Sequence, residues 1–491
     1  MPPVVSILLA DSDSVAVLPH GGARGDEFGA RGRRIVLNEV VPPGHKAAIK
    51  AVTADGLLLK YGHPIGRASR AIAPGDWVHT HNLQTRLTQD DEITHRPAAP
   101  PKTAIMPGAR AFMGYARDAG RPGIRNDLWI IPTVGCINGE ARALASEFSP
   151  PPWITGVKVA EHPYGCSQLG DDLTRTADAL AGLAQNPNAA GVLIAGLGCE
   201  NLELSLMTER LRGRTNVRFL SMQQLGSGEL FARMLNELAE EAPRARESFP
   251  ISELTVGVKC GGSDGYSGLT ANPLLGRFTD ALTAAGGTVL ATEIPEMFGA
   301  EDVLTPRMSE PVFESFAALD HWFRDYFTRH GRPVYENPSP GNVSGGITTL
   351  EEKSLGAVEK AGNAPITGIL RYGEPVSRAA GVQILFSPGN DLVSCTAMAA
   401  SGAHMILFTT GRGTPFGTVV PTLKVSTNSE LAANHPGWID FDAGTLIANP
   451  DWEAAAEALT GKILAVANGE LTANERRGHG EIALFKDGVI L

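Results

Sequence analysis

The chain is poor in cysteine, in aromatic residues and in long apolar runs, and each shortage closes off a class of protein. Five cysteines in 491 residues cannot make the disulfide framework of a small secreted domain, and no CxxC pair exists to build a zinc ribbon or finger. No run of about 18 apolar residues occurs, so no membrane partner is expected. The opening MPPVVSILLADSDS has no positive leader and too short an apolar stretch for a signal peptide, so a reducing cytoplasm is the expected compartment. No basic block is present either, and the formal net charge is −11, which argues against a nucleic-acid partner. An anionic substrate is still compatible with this charge, because the local field of a pocket can oppose the net charge.

Glycine, in contrast, is abundant. Its 56 residues exceed the usual share of roughly 7% and imply many tight loops where backbone turns or approaches a ligand. With 43% hydrophobic residues the chain can bury large cores, and its length allows roughly three domains. Residues 1–90 read as a small all-β module, because brief apolar runs are split by "PPGHK", "TADG", "YGHPIG" and "APGDW". The prolines of "RPAAPPKTAIMPGAR" mark a connector, placed at 91–113. From 114 apolar strand patterns alternate with helical ones, which predicts crossover units and mainly parallel sheets. A division near "EEAPRARESFP" gives two α/β domains, 114–250 and 251–491, the second with strands expected at 254–260, 288–294, 382–387, 403–408 and 438–441.

Four cysteines share one kind of address. Cys136 closes "LWIIPTVGC", Cys166 follows "VKVAEHPYGC", Cys199 closes "GVLIAGLGC" and Cys260 closes "ELTVGVKC". Each lies just past the carboxyl end of an expected strand, the edge at which open parallel sheets bind ligands. Singly, each could be a small core residue. Together they point to a soft metal or a redox role, since thiolates suit iron, zinc or an iron–sulfur cluster. Cys395, inside the helical "DLVSCTAMAASG", reads as packing.

The same edges carry polar groups suited to an anionic substrate. Arg412, between glycines in "TTGRGTPFGTVVPTLKVSTNS", can grip a carboxylate with two parallel hydrogen bonds, with Lys424 and Asn428 in the same stretch. Glu293 and Glu296 in "ATEIPEMFGAE" are candidate metal ligands or acid/base groups, as are Asn390 and Asp391 in "SPGNDLVS". Asp264 either ligates a metal or caps a turn. In the small module, His79 and His81 would share one face of a strand, while His45 and His63 stand in turns; a substrate-handling or lid role is the expectation there. Nucleotide binding is disfavoured. No G-x-x-x-x-G-K-[ST] loop is present, and "GLGCEN" has Asn201 where a dinucleotide fingerprint needs its third glycine, leaving an NAD-dependent dehydrogenase as the weaker alternative.

The strings "GYARDAGRPGIRNDLWIIPTVGCING", "HPYGCSQLGDD", "GLGCEN", "KCGGSDGYSGLTANPLLG", "ENPSPGNVSGGITTLEEKSLG" and "FTTGRGTPFGTVVPTLKVSTNS" resemble the altronate/galactarate dehydratase family over nearly the whole chain. "HPYGCSQLGDD", "TEIPEMFGAE" and the C-terminal end are most similar to its altronate branch. The resemblance implies an N-terminal β-clip (SAF) module, a linker, a middle domain that dimerises and a C-terminal Rossmann-like variant. It implies a homodimeric hydro-lyase that removes water from a small sugar acid with Fe²⁺ or Mn²⁺. For D-altronate the product is 2-dehydro-3-deoxy-D-gluconate, in hexuronate catabolism; galactarate or another sugar acid is the alternative, and an inactive binding protein a further one.

Dehydrating a 2,3-dihydroxy acid requires a base for the C2 proton, an acid for the leaving hydroxyl and a cation for the developing enediolate. Lys259, His162 and Lys424 are the candidate bases or acids, and Arg412, Asn390 and Asn428 the candidate substrate contacts. Cys260, Asp264, Glu293 and Glu296 are the leading metal candidates. Two arrangements stay open: a single metal ion with oxygen and sulfur ligands, or an iron–sulfur cluster on Cys166, Cys199 and Cys260 with one iron open to substrate, Cys136 being a further candidate thiol.

Overall fold

The structure is a computed structural model that describes residues 4–89, 91–98, 110–118 and 120–490. Of the expected connector 91–113, residues 99–109 lie outside the described residues.

Short runs broken by turn residues produce eight short strands: β1 (Val15–Leu18), β2 (Glu27–Ala30), β3 (Arg33–Val36), β4 (His45–Ala48), β5 (Leu57–Lys60), β6 (His63–Ala68), β7 (Trp77–Val78) and β8 (Leu83–Gln84). They pair antiparallel as β1-β4-β7, β5-β6-β8 and the hairpin β2-β3. One face of this module closes on itself around Phe28, Ile35 and Val41. The other joins the main core of the chain, where Leu58, Ile65 and Val78 are buried in one cluster with Phe298, Leu350 and Leu355. A free-standing lid would not share its core in this way, so the module is built into the body.

The strands that follow are β9 (Ala111–Gly114), β10 (Asp127–Pro132), β11 (Gly156–Val159), β12 (Ala189–Gly196), β13 (Val217–Ser221) and β14 (Glu247–Pro250). Strands β9 and β14 pair antiparallel, bracketing a four-stranded sheet of order β11-β10-β12-β13 whose neighbours are all parallel. The C-terminal part supplies β15 (Thr255–Cys260), β16 (Thr288–Ala291), β17 (Ile366–Leu370), β18 (Gly381–Leu385), β19 (Met405–Thr410), β20 (Thr422–Ser426) and β21 (Phe441–Asp442). These form a seven-stranded, wholly parallel sheet of order β17-β18-β16-β15-β19-β20-β21. Strands buried on both faces carry near-continuous apolar sequence, as β15 and β19 do.

Both sheets reverse their winding direction once, between β10 and β12 and between β15 and β19. Crevices open at the carboxyl ends of strands where such a reversal occurs. The two sheets are joined by a shared core in which Leu180 and Leu183 of helix Asp171–Ala184 meet Met398 of helix Asp391–Ala400. Asn186 and Asn188 lock that junction by donating to the carbonyls of Ala399 and His404, both at 2.8 Å. The mixed α/β architecture with a large parallel sheet agrees with the expectation. Strands β17 and β20 were not anticipated, and the strand expected at 438–441 is only Phe441–Asp442.

Candidate active site

Strand β15 runs apolar until Lys259-Cys260, and there the carboxyl edge of the large sheet becomes polar while staying buried. The Lys259 ammonium is fully buried, bonded to the Glu293 carboxylate and 2.9 Å from Asp391. Burial works against its charge, but Asp391 and Glu293 outweigh burial and hold it well above the ordinary lysine range. Glu293 follows β16 in the left-handed region (φ 71°), a conformation costing roughly 1–2 kcal/mol for a side chain other than glycine. That turn aims its second oxygen at Lys360, 2.9 Å away. Lys360 also lies 3.3 Å from the Cys260 sulfur. Burial and the neighbouring Glu293 push the Cys260 thiol up to about 11, so it is neutral at pH 7. Next to this group, Lys353 pairs with Glu296 at 2.8 Å.

Cys260, Glu293 and Glu296 converge within 4.8 Å, the one such metal-like group among the described residues. Their surroundings do not fit a divalent cation. Three ammonium groups, Lys259, Lys353 and Lys360, already contact these donors, and the cavity beside Glu293 and Glu296 is about 10 Å³, room for about one water. The fourth metal candidate, Asp264, is likewise saturated. It accepts from the Tyr266 amide and from the side chains of Ser267, Thr427 and Asn428 at 3.0–3.2 Å. Burial nevertheless lifts its carboxyl to about 6. Asp264 thus organises the loops around it: a methyl on Gly411 would stand 2.1 Å from its carboxyl carbon, so only glycine lets the loop after β19 pass there.

Past this buried layer lies a rim that solvent reaches. Arg412 is exposed, donates to the Ser344 hydroxyl at 3.1 Å and has no carboxylate partner among the described residues. Asp391 is one-third exposed, with Lys259 behind it. Asn390 and Asn428 cap the helices Asp391–Ala400 and Ser429–Asn434 by accepting from Val393 and Leu431, and Asn428 also donates to Asp264. The β-module borders the same loops. His79 contacts the Val343 carbonyl through Nε2 at 3.0 Å, and His45, stacked on His79 at 5.1 Å, accepts from Trp77. Burial, then His79 and Lys46, lower the His45 pKa to about 4. These histidines wedge the loop that carries Ser344; they form no metal-like cluster among the described residues. Beneath them, Glu352 bridges Lys46 and Lys60 at 2.8 and 2.9 Å, all three buried.

At the edge of the four-stranded sheet, Cys136, Cys166 and Cys199 are exposed, whereas Cys260 and Cys395 are buried. The combination of Cys260 with Cys166 and Cys199 is therefore not assembled: Cys260 ends a strand of the other sheet and faces Glu293 and Lys360. His162 is buried and bound at both ring nitrogens, Nε2 to the Pro132 carbonyl at 2.8 Å and Nδ1 to the Tyr164 amide at 3.2 Å. Burial lowers its pKa to about 4, so it is a neutral latch on the loop leading to Cys166 and has no nitrogen left for a base. Lys424 is a buried residue of β20 whose ammonium donates to the Phe416 carbonyl; burial lowers it to about 8.

A larger cleft, about 740 Å³, lies between β11 and the C-terminal segment. Its cations are already neutralised, Arg125 by Glu475, Arg142 by Glu161 and Lys158 by Asp127, all within 3.0 Å. Arg412, by contrast, has no carboxylate partner among the described residues. Residues that sequence reasoning missed are Lys46, Lys60, Lys353, Lys360 and Glu352. The signal was present in "HKAAIK", "LLLK" and "TLEEKSLGAVEK", where charges interrupt stretches otherwise fit for a core.

Comparison with known proteins covers the whole of this architecture. Residues 4–86 match the altronate/galactarate dehydratase SAF domain, 114–246 the D-galactarate dehydratase/altronate hydrolase second domain, and 251–490 the D-galactarate/altronate dehydratase C-terminal domain. The chain is 45% identical to an altronate dehydratase of Bacillus subtilis (strain 168), over 99% of each chain. It is 44% identical to an altronate dehydratase of Escherichia coli (strain K12) over 98% of each, and 32% identical to the L-threo-forming galactarate dehydratase of that organism, over 99% of this chain and 97% of the other.

Proposed function

We infer that this chain, which belongs to the altronate/galactarate dehydratase family, is a hydro-lyase that converts D-altronate to 2-dehydro-3-deoxy-D-gluconate. The observation that carries this is the gap between 44–45% identity to two altronate dehydratases and 32% to a galactarate dehydratase, each over nearly full length. The strand-order reversal beside β15 supports a Rossmann-like reading of the C-terminal domain, with the substrate at that crevice.

The rim supplies the parts for the reaction. Arg412, lacking a carboxylate of its own, holds the substrate carboxylate. Asp391 is the solvent-facing acceptor for the C2 proton, and Lys259, kept charged behind it, stabilises negative charge as the enediolate forms. As the C3–O bond breaks, the leaving hydroxyl takes up the proton that Asp391 accepted from C2 and departs as water. The resulting enol gains a proton at C3 and releases its C2 hydroxyl proton to solvent, giving the 2-keto acid. A divalent iron supplies Lewis acidity to such an elimination when bound. Because Cys260, Glu293 and Glu296 are occupied by ammonium groups, no step is assigned to a metal there. Manganese prefers oxygen ligands, so the exposed thiols favour iron.

The test is to assay anaerobic protein, supplied with Fe²⁺ and a thiol reductant, on D-altronate and galactarate separately, following 3-deoxy-2-keto acid. Turnover of altronate in preference to galactarate is the expected result. Turnover of galactarate alone would move the chain to the other branch, and no turnover of either would sink the assignment.

A further inference from the structure

The exposed thiols of the four-stranded sheet, suited to iron, belong to a different sheet edge from Arg412, Asp391 and Lys259. We propose that Cys136, Cys166 and Cys199 hold an iron–sulfur cluster, three thiolates on three irons, leaving one iron without a protein ligand.

Three different crossover loops bring these residues to one sheet edge. Cys136 follows β10, Cys166 follows β11 and Cys199 follows β12, and those strands are neighbours in the order β11-β10-β12. The loops are tied to one another next to each cysteine. The Gly135 amide donates to Tyr164 at 2.9 Å, the Leu202 amide to Gly165 at 3.0 Å and the Ser167 amide to the Asn201 side chain at 2.7 Å. Gly165 has φ 106°, and a methyl there would sit 1.9 Å from the Thr133 carbonyl, so the Cys166 loop is pressed onto the Cys136 loop.

Two buried polar side chains complete the frame. His162 latches the Cys166 loop to the end of β10. Glu200 accepts from the amides of Leu197, Gly198 and Cys199 and from the Thr133 hydroxyl, at 2.6–3.0 Å. All of these anchors act on backbone beside the thiols, while the thiols themselves are left facing outward. Cys166 has only the Ser167 hydroxyl near its sulfur, at 3.8 Å, and all three are free thiols.

Spacing argues against a single ion on these three thiols. Sulfurs around a single tetrahedral ion at about 2.3 Å must stand within about 4 Å of each other. Cys136, Cys166 and Cys199 are not among the groups converging within 4.8 Å. A polynuclear cluster, in which each thiolate binds its own iron, does not require the sulfurs to stand that close. On assembly from two ferrous and two ferric ions with four sulfides no electron changes hands, and each thiol releases its proton to solvent as its sulfur bonds to iron.

The experiment uses the full-length chain purified without oxygen. It is incubated with ferrous and ferric iron, sulfide and a thiol reductant, then desalted and analysed for iron, acid-labile sulfide, visible absorption and electron paramagnetic resonance after reduction. About four irons and four sulfides per chain, with a visible thiolate-to-iron band, are expected. C136S, C166S and C199S should each lose most of the sulfide, whereas C260S and C395S should keep it, with unchanged circular dichroism throughout. Iron without sulfide would overturn the proposal in favour of a single ion; so would neither, or a cluster that survives the triple variant. Because this readout needs no substrate, its failure leaves the dehydratase assignment standing, and the failure of that assignment leaves the cluster.

Discussion

Among the described residues six lysines are buried, Lys46, Lys60, Lys259, Lys353, Lys360 and Lys424, although lysine is almost never fully buried without a partner. Five meet carboxylates, and Lys424 meets the Phe416 carbonyl. Arg412 is the contrasting case, a cation at the rim with no acid beside it. Exchanging it for alanine should raise KM for the sugar acid about ten- to hundredfold, the worth of a charge-assisted contact, with a smaller change in kcat; a KM within twofold of the parent would remove Arg412 from the site. The cysteines give a second residue-scale test. In the metal-free native chain, iodoacetamide should modify Cys136, Cys166 and Cys199 at least about tenfold faster than Cys260 and Cys395, whose thiols are buried and raised in pKa. Peptide mass spectrometry over time reads this directly, and equal rates would contradict the burial described.

Among elements, helix Leu350–Val358 joins the β-module to the body, because its Glu352 carries both Lys46 and Lys60. Burial opposes the Glu352 charge, but the two lysines overcome it and depress its pKa to about 2, below the ordinary 4.5. The folded state therefore binds fewer protons than the unfolded one between these values. The contribution is complete above about 4.5 and is lost as pH falls toward 2. Glu352→Gln should cost about 3–5 kcal/mol at neutral pH, since it leaves buried ammonium groups without a counter-charge. Denaturant unfolding at pH 6 and pH 3 should show a smaller acid loss in the variant than in the parent; equal losses would place the acid sensitivity elsewhere.

The element scale also explains what the sequence disclosed. Strands β15, β16, β18 and β19 were legible because residues buried on both faces must be apolar. Strand β20 was not, because Lys424 interrupts its apolar run and is accommodated by the Phe416 carbonyl of the loop before it and by the Phe408 ring. The cysteine address could be seen for the same reason as the strands, since it depends on local pattern. The grouping of the thiols could not, because which sheet edges meet depends on contacts far apart in sequence. The role expected of His162 failed on the same ground: its two partners, Pro132 and Tyr164, are set by how two loops pack.

For the molecule as a whole, the two parallel sheets share a core and are further tied by the C-terminal segment. Phe485 is buried among Trp322, Tyr326, Tyr372 and Phe386, with ring centroids 5.7–6.2 Å away. The amides of Asp487 and Gly488 donate to Asp172 of the middle domain at 3.0 and 2.7 Å. Phe485→Ala should therefore lower stability by about 3–5 kcal/mol and displace both sheets together in one unfolding transition. Separate transitions in calorimetry would show that the sheets are energetically independent.

The last of these contacts is a bridge between Ile490 and Gln168, two residues beyond Cys166. Chains are made from the N-terminus, and domains fold in that order during synthesis. The loops bearing Cys136, Cys166 and Cys199 are thus translated and can be folded long before Ile490 is added. During that interval the Cys166 loop exists without its final neighbour, so the order of translation lets its thiol meet a ligand before Ile490 packs beside Gln168.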